Sequence, residues 1–222
     1  MLGKTHLFYG LTAGAAAALA LVHPVSTLPL AAAVATGAAG GLLPDLDEPG
    51  STISNAPRIL GKQAQHLLRR ATGGTPLRVL GLLAGAVIGL LAGILNVLSR
   101  VLSHVVRFVS GGHREGTHWL PVWVGLSAGV FALMAPLIAS GYGLPAAVGF
   151  CAGYLSHLVG DGLTRSGLPL VPYTGARLHL LPRPLRVRTG TGGEVVATIM
   201  YTAILVAALY ELFATRIAFV RW

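Results

Sequence analysis

The sequence predicts an all-α protein, a polytopic bundle of helices embedded in a membrane, and three observations carry that prediction. Of its 222 residues, 54% are hydrophobic and only 10% are charged, a balance too apolar for an ordinary soluble domain. The apolar residues gather into runs near the roughly 20 that a helix needs to cross a bilayer core of about 30 Å. Those runs end on Gly, Pro or charged residues, where a helix is expected to stop.

Taken in order, Leu7–Val22 is nearly uncharged and alanine-rich, and His23-Pro24 follows it as a helix end. Lys4 ahead of an apolar run also fits a signal peptide, but no clean small-x-small cleavage site follows. The second run, Leu28–Leu43, is ended by Pro44, and Trp119–Ser140, Leu144–Gly160 and Val195–Thr215 complete the set. The stretch Leu77–Val109 is ambiguous. Gly81, Gly85, Gly89 and Gly93 recur every fourth residue and line one helix face, the small-residue pattern that lets backbones approach in lipid. From Asn96 onward, Val97, Leu98, Val101, Leu102, Val105 and Val106 interleave with Arg100, Ser103, His104 and Arg107, as in an interfacial amphipathic helix.

Sixteen Lys and Arg against seven Asp and Glu give a net charge of +9. In so apolar a chain, basic excess orients loops at an anionic membrane face, so no nucleic-acid partner is expected. Ten of the sixteen lie in or beside two polar segments, Asp45–Pro76 and Asp161–Gly193. If both segments share a side, the positive-inside tendency puts that side in the cytoplasm. Cys151, the single cysteine, allows neither an intrachain disulfide nor a cysteine-based zinc site. No repeat of 20 to 50 residues is visible. The expectation is one membrane-embedded domain over residues 1–222, with the glycine-patterned and amphipathic segment 77–110 inserted in it, in the inner membrane.

The scarce acids and histidines sit at the ends of the runs. Asp45, Asp47 and Glu48 follow the second run, Asp161 ends the run Leu144–Gly160, and Glu194 opens the last; His6, His113, His118 and His157 occupy similar places. Ionisable groups are costly at membrane depth and mark function when they occur there. His157 and Asp161, four apart, share a helix face and are either a metal-ligand pair or a helix-terminal His beside an exposed acid. Asp45 and Asp47 are close enough to repel unless a cation or protons intervene, yet turn and cap chemistry also explains Pro-Asp. His113 and His118, five apart, fall about 140° apart on an ideal helix, so at least one belongs to a loop. Imidazole with carboxylate suits zinc, manganese or iron, and seven or eight candidates exceed one four-coordinate site.

Read in order, the motifs resemble those of the LexA-regulated, membrane-bound metal-dependent hydrolases of the YdjM type. They are Thr5-His6; Leu43-Pro44-Asp45-Leu46-Asp47 with Ser51; Gly112-His113-Arg114 and Thr117-His118; Gly153-Tyr154-Leu155-Ser156-His157 with Asp161 and Thr164; and Arg188-Thr189-Gly190 with Glu194. The family is in turn similar to zinc-dependent phospholipase C and related single-strand nucleases. The resemblance therefore implies a phospholipase-C-like, metal-binding helical core. It implies two or more divalent ions, zinc with manganese or iron as alternatives, on ligands drawn from His6, Asp45, Asp47, His113, His118, His157, Asp161 and Glu194. Two departures stand out. Where the family reads His-Arg-Gly-x-Thr-His-Ser, this chain has Glu115, Gly116 and Trp119, so Glu115 either adds a carboxylate near the metals or faces water. The family also joins Pro-Asp-x-Asp to His-Arg by a short amphipathic connection. If Leu77–Leu95 crosses once, Asp45 and His113 end on opposite faces; convergence demands an even number of crossings, through a re-entrant hairpin or an in-plane helix pair.

The expected chemistry is hydrolysis by metal-activated water at a phosphorus or acyl centre, since no Ser-His-Asp or Cys nucleophile is visible. Arg114 is a candidate for holding anionic oxygens, and Asp47 for a ligand or a base. Glu194 is a ligand or a favourable first-turn acid. Expected partners are the bilayer and an amphiphilic or phosphorylated substrate. The rival readings are a metal-stabilised membrane scaffold and a divalent-cation transporter, the latter weakened by acids at helix ends and by the lack of repeated halves.

Overall fold

Each long apolar run becomes a helix. The computed structural model describes residues 1–22, 26–74, 77–171 and 173–220, with side chains to residue 214. The expected helix end at His23-Pro24 and the segment limit at Pro76 lie outside the described residues. About three-quarters of the chain is helical. The helices are α1 (Gly3–Leu21), α2 (Thr27–Leu42), α3 (Ala56–Thr72), α4 (Arg78–Val109), α5 (Leu120–Met134), α6 (Gly143–Gly162) and α7 (Gly192–Val220). The one sheet among the described residues pairs β1 (Leu168–Pro169) with β2 (Arg177–Leu178), antiparallel, Leu168 opposite Leu178.

Five stretches are long and apolar enough to cross a membrane: Thr27–Asp47, Arg78–Val109, Leu120–Leu137, Gly143–Gly162 and Gly192–Ala214. α1 is not among them, contrary to the expectation for Leu7–Val22. Lys4, His6 and three glycines dilute its apolar residues, and its inner face is spent on protein contacts.

The chain divides into two compact units, residues 1–44 with 114–222, and residues 45–113. The core of the first is α1, α2 and α6, which approach through glycines. A Cβ at Gly37 would lie 2.5 Å from the Gly10 carbonyl oxygen and 2.9 Å from Gly14 Cα, and one at Gly153 would run into the Gly37 carbonyl. Small residues at such crossings gain backbone-to-backbone dispersion that larger ones forbid. Phe150, Tyr154, Leu158 and Leu168 form a buried cluster on α6 and β1, flanked by Leu43, Trp123 and Val130. Trp123 Nε1 donates to the Cys151 carbonyl, fastening α5 to α6 (3.0 Å). α7 leans on α1 through stacked Tyr9 and Tyr201 rings, with centroids 4.1 Å apart.

The second unit is a helical hairpin. α4 runs unbroken for 32 residues, about 48 Å, so the change of pattern at Asn96 marks no break. Its glycine face receives α3, part of the segment that reads as polar loop. Thr72 sits at Gly81 and Gln65 at Gly89, and Gln65 Nε2 donates to the Gly85 carbonyl (2.7 Å). Farther along, Ser54 Oγ donates to Ser103 Oγ (3.2 Å) and Arg107 pairs with Glu48 (3.1 Å). The ladder ends where Asp47 meets His113. The hairpin thus returns the chain to its starting end, with α3 as the return partner.

Candidate metal centre

His157 and Asp161 lie one turn apart on α6, at the end where Gly162 and Leu163 let the helix stop. Thr164 caps that end, its hydroxyl donating to the Asp161 carbonyl (2.7 Å). His6 enters from the first turns of α1, and His118 closes the short 3-10 turn Gly116–His118 ahead of α5. All four side chains are fully buried.

Three donor atoms form a small triangle. His118 Nε2 lies 3.1 Å from His157 Nε2, and Asp161 Oδ2 lies 3.4 Å from the first and 3.8 Å from the second. Four ligands about 2.0–2.1 Å from a tetrahedral ion stand roughly 3.3 Å from one another, and the triangle matches that spacing. His6 stacks on His157 with centroids 3.6 Å apart and brings its Nε2 within 3.3 Å of the other carboxylate oxygen, Oδ1. The Met1 amine lies 2.8 Å from the same oxygen.

The outer nitrogens fix the rings. His157 Nδ1 lies 2.8 Å from the Gly41 carbonyl oxygen, which only accepts, so Nδ1 carries the proton and the neutral ring turns its Nε2 lone pair toward the triangle. Thr117 Oγ1 stands 3.0 Å from His118 Nδ1. Metal-binding imidazoles are held by this kind of outer hydrogen bond. Neither ring nitrogen of His6 completes a well-formed hydrogen bond although both are buried, and Asp161 Oδ2 is likewise met only by the longer ion-pair contacts of Arg114 and His118. Buried polar atoms short of a well-formed hydrogen bond are rare. Their presence here, in a set of three imidazoles and a carboxylate, fits a transition-metal ion. His118, His157 and Asp161 are together a group that can hold one.

The remaining sequence candidates divide. Arg114 joins the centre, its Nε 3.2 Å from Asp161 Oδ2. It stands in the left-handed region at φ 62°, a conformation uncommon outside glycine, and Arg177 holds it there by donating to its carbonyl (2.7 Å). Asp45, Asp47 and His113 belong to the second unit. There buried Asp47 accepts from His113 Nδ1 at 2.7 Å, a pairing that selects the ring tautomer.

Glu194 is not in the triangle. Its Oε1 accepts from the Leu2 amide (2.7 Å) and the Thr5 hydroxyl (2.5 Å), and its Oε2 from the Gly190 amide (2.7 Å). It therefore ties the start of α7 to the start of α1. Glu115 neither adds a carboxylate to the triangle nor faces water. It pairs with Arg177 and accepts from the Tyr173 amide. Trp119, the other departure, donates to the Leu170 carbonyl (3.1 Å). Sequence reasoning quoted Thr117 in a motif without giving it a role, and missed the Gly41 carbonyl and the part played by Arg177. The Thr117-His118 adjacency was visible, but nothing local announces the other two.

A bundle of helices long and apolar enough to cross a membrane, around a buried cluster of imidazoles and a carboxylate, defines the class: a multi-pass membrane protein with a buried His/Asp group that could hold a metal ion. The chain belongs to the YdjM inner membrane protein family, whose model matches residues 1–219. No curated protein and no solved structure matches it.

Proposed function

We propose that the protein is a membrane-bound, metal-dependent hydrolase that cleaves a phosphoester of a lipid or another amphiphilic substrate. The observation that carries this reading is the donor triangle of His118, His157 and Asp161, buried, close to tetrahedral spacing and backed by outer hydrogen bonds. These three residues would hold one ion. His6, at the other oxygen of Asp161, supplies the start of a second position. Zinc suits the donor set best, with manganese or iron as alternatives. A divalent ion so held supplies a Lewis acid and lowers the pKa of a water bound to it.

The chain's own groups do the rest. Arg114 presents a guanidinium at the edge of the centre, suited to bidentate contact with phosphoryl oxygens. Buried walls from α1, α2 and α6 exclude bulk water and strengthen that contact. The resemblance of the family to zinc-dependent phospholipase C, through a ligand pair spaced like His157 and Asp161, supports a phosphoester over other esters. Five arginines of the segment after α6, at the end where Asp161 sits, support a cytoplasmic position for the centre.

Purified protein is expected to hydrolyse a lipid or chromogenic phosphoester only with metal present, and to lose that activity in Asp161→Ala. Activity that survives both chelation and the substitution refutes the proposal. A metal-loaded, folded protein inert toward every phosphoester tested returns the chain to the scaffold reading.

A further inference from the structure

Outside the metal centre, the first unit has a cavity of about 690 Å³ at the start of α7, whose lining includes Arg165, Arg186, Arg188, Val196 and Met200. No acid lines it. The three arginines form no ion pair among the described residues. They are gathered on purpose by the backbone: the Arg165 amide donates to the Val187 carbonyl and the Val187 amide to the Leu163 carbonyl (3.1 and 2.9 Å). That lays residues 186–188 beside the segment leaving α6. Arg186 Nε also donates to the Leu181 carbonyl (3.1 Å), which sets the direction of its guanidinium.

The other wall is apolar and helical. Gly193, Val196, Ala197 and Met200 line the cavity at spacings of three and four, one stripe of α7. Ala197 rests against the buried Met1, Tyr9 and Val187, whereas Val196 and Met200 are exposed on a helix long and apolar enough to cross a membrane, so the outer edge of the stripe is open. Glu194 is the last charge before that apolar run, so if α7 crosses the bilayer the arginines fall at headgroup level, and the stripe runs about 10 Å along the helix from Gly193 to Met200.

We propose that this cavity binds an anionic phospholipid, its phosphate held by Arg165, Arg186 and Arg188 and one acyl chain laid along the α7 stripe. Three guanidinium groups with no paired carboxylate suit an anion, and an apolar wall continuous with a helix of membrane-crossing length favours a lipid over a free anion. The site shares no residue with the metal centre, and its occupancy does not depend on hydrolysis.

The test uses delipidated full-length protein in neutral detergent, titrated with phosphatidylglycerol or phosphatidylcholine, with adducts counted by native mass spectrometry. One phosphatidylglycerol is expected to bind in preference to phosphatidylcholine. Arg165→Gln/Arg186→Gln/Arg188→Gln is expected to weaken it by about tenfold or more. Val196→Trp, which fills an exposed face of the cavity and leaves the charges, is also expected to weaken it. Arg58→Gln/Lys62→Gln/Arg69→Gln, an equal charge change on α3, is expected to leave it unchanged. Unaltered helical circular dichroism certifies each variant. Equal binding of the two lipids, or equal loss in both triple variants, overturns the proposal. So does binding that inorganic phosphate displaces at millimolar concentration and that Val196→Trp does not touch, because the occupant is then a free anion.

Discussion

Asp161 stands between two sets of groups, with His118, His157 and Arg114 near one oxygen and His6 and the Met1 amine near the other. Exchange of Asp161 for Asn keeps its size and removes its charge. Retained metal is expected to fall at least about tenfold with helical content intact, measured by elemental analysis against circular dichroism. Glu194 makes a different prediction. Its hydrogen bonds are structural, so Thr5→Val, which leaves a buried carboxylate oxygen short of a donor, is expected to cost about 1–3 kcal/mol of stability. Metal content should be preserved, and a detergent unfolding titration beside elemental analysis separates the two effects. The pairing of His157 with Asp161 was legible because four residues make one helical turn, and His6 and His118 because ionisable groups stood out at the ends of apolar runs. The tethering of Glu115 by Arg177 was not legible, since it joins residues 62 apart through a loop that no periodicity describes.

The helices α1, α2 and α6 carry the centre and meet at glycines, so the packing and the chemistry are joined. Gly37→Val would press a branched side chain into the α1 backbone, where over-packing costs about 1–3 kcal/mol or more. Loss of metal should accompany the loss of stability, because His6 and His157 come from two of the separated helices. In the second unit, α4 showed its packing face as a glycine repeat, but its partner α3 carries Arg58, Lys62, Arg69 and Arg70 and reads as a polar segment. Its apolar residues are too few to signal a membrane-length helix, and only the contacts reveal the pairing. In a Cys151→Ser background, Ser54→Cys/Ser103→Cys is expected to form a disulfide under mild oxidation, since the two hydroxyls stand 3.2 Å apart. Failure to cross-link while either cysteine alone reacts freely with a thiol reagent contradicts the hairpin.

Five membrane-length helices and membership of an inner membrane protein family make the bilayer the solvent of this molecule. The sequence read this directly, from run length and the scarcity of charge. The arithmetic of crossings was harder, because a 32-residue apolar helix invites the reading of one crossing, whereas the hairpin brings Asp47 and His113 to one end. Cysteines placed at Gly50 and Ser110 are therefore expected to react with an impermeant thiol reagent from the same face of the membrane; labelling from opposite faces contradicts the hairpin's return. The central claim is the buried metal centre, and elemental mass spectrometry of detergent-purified protein tests it most directly, wild type beside His157→Ala and Asp161→Ala. Stoichiometric transition metal in the wild type, lost in both variants at unchanged helical content, is the predicted result. A folded wild type that neither contains nor takes up a transition metal contradicts the account.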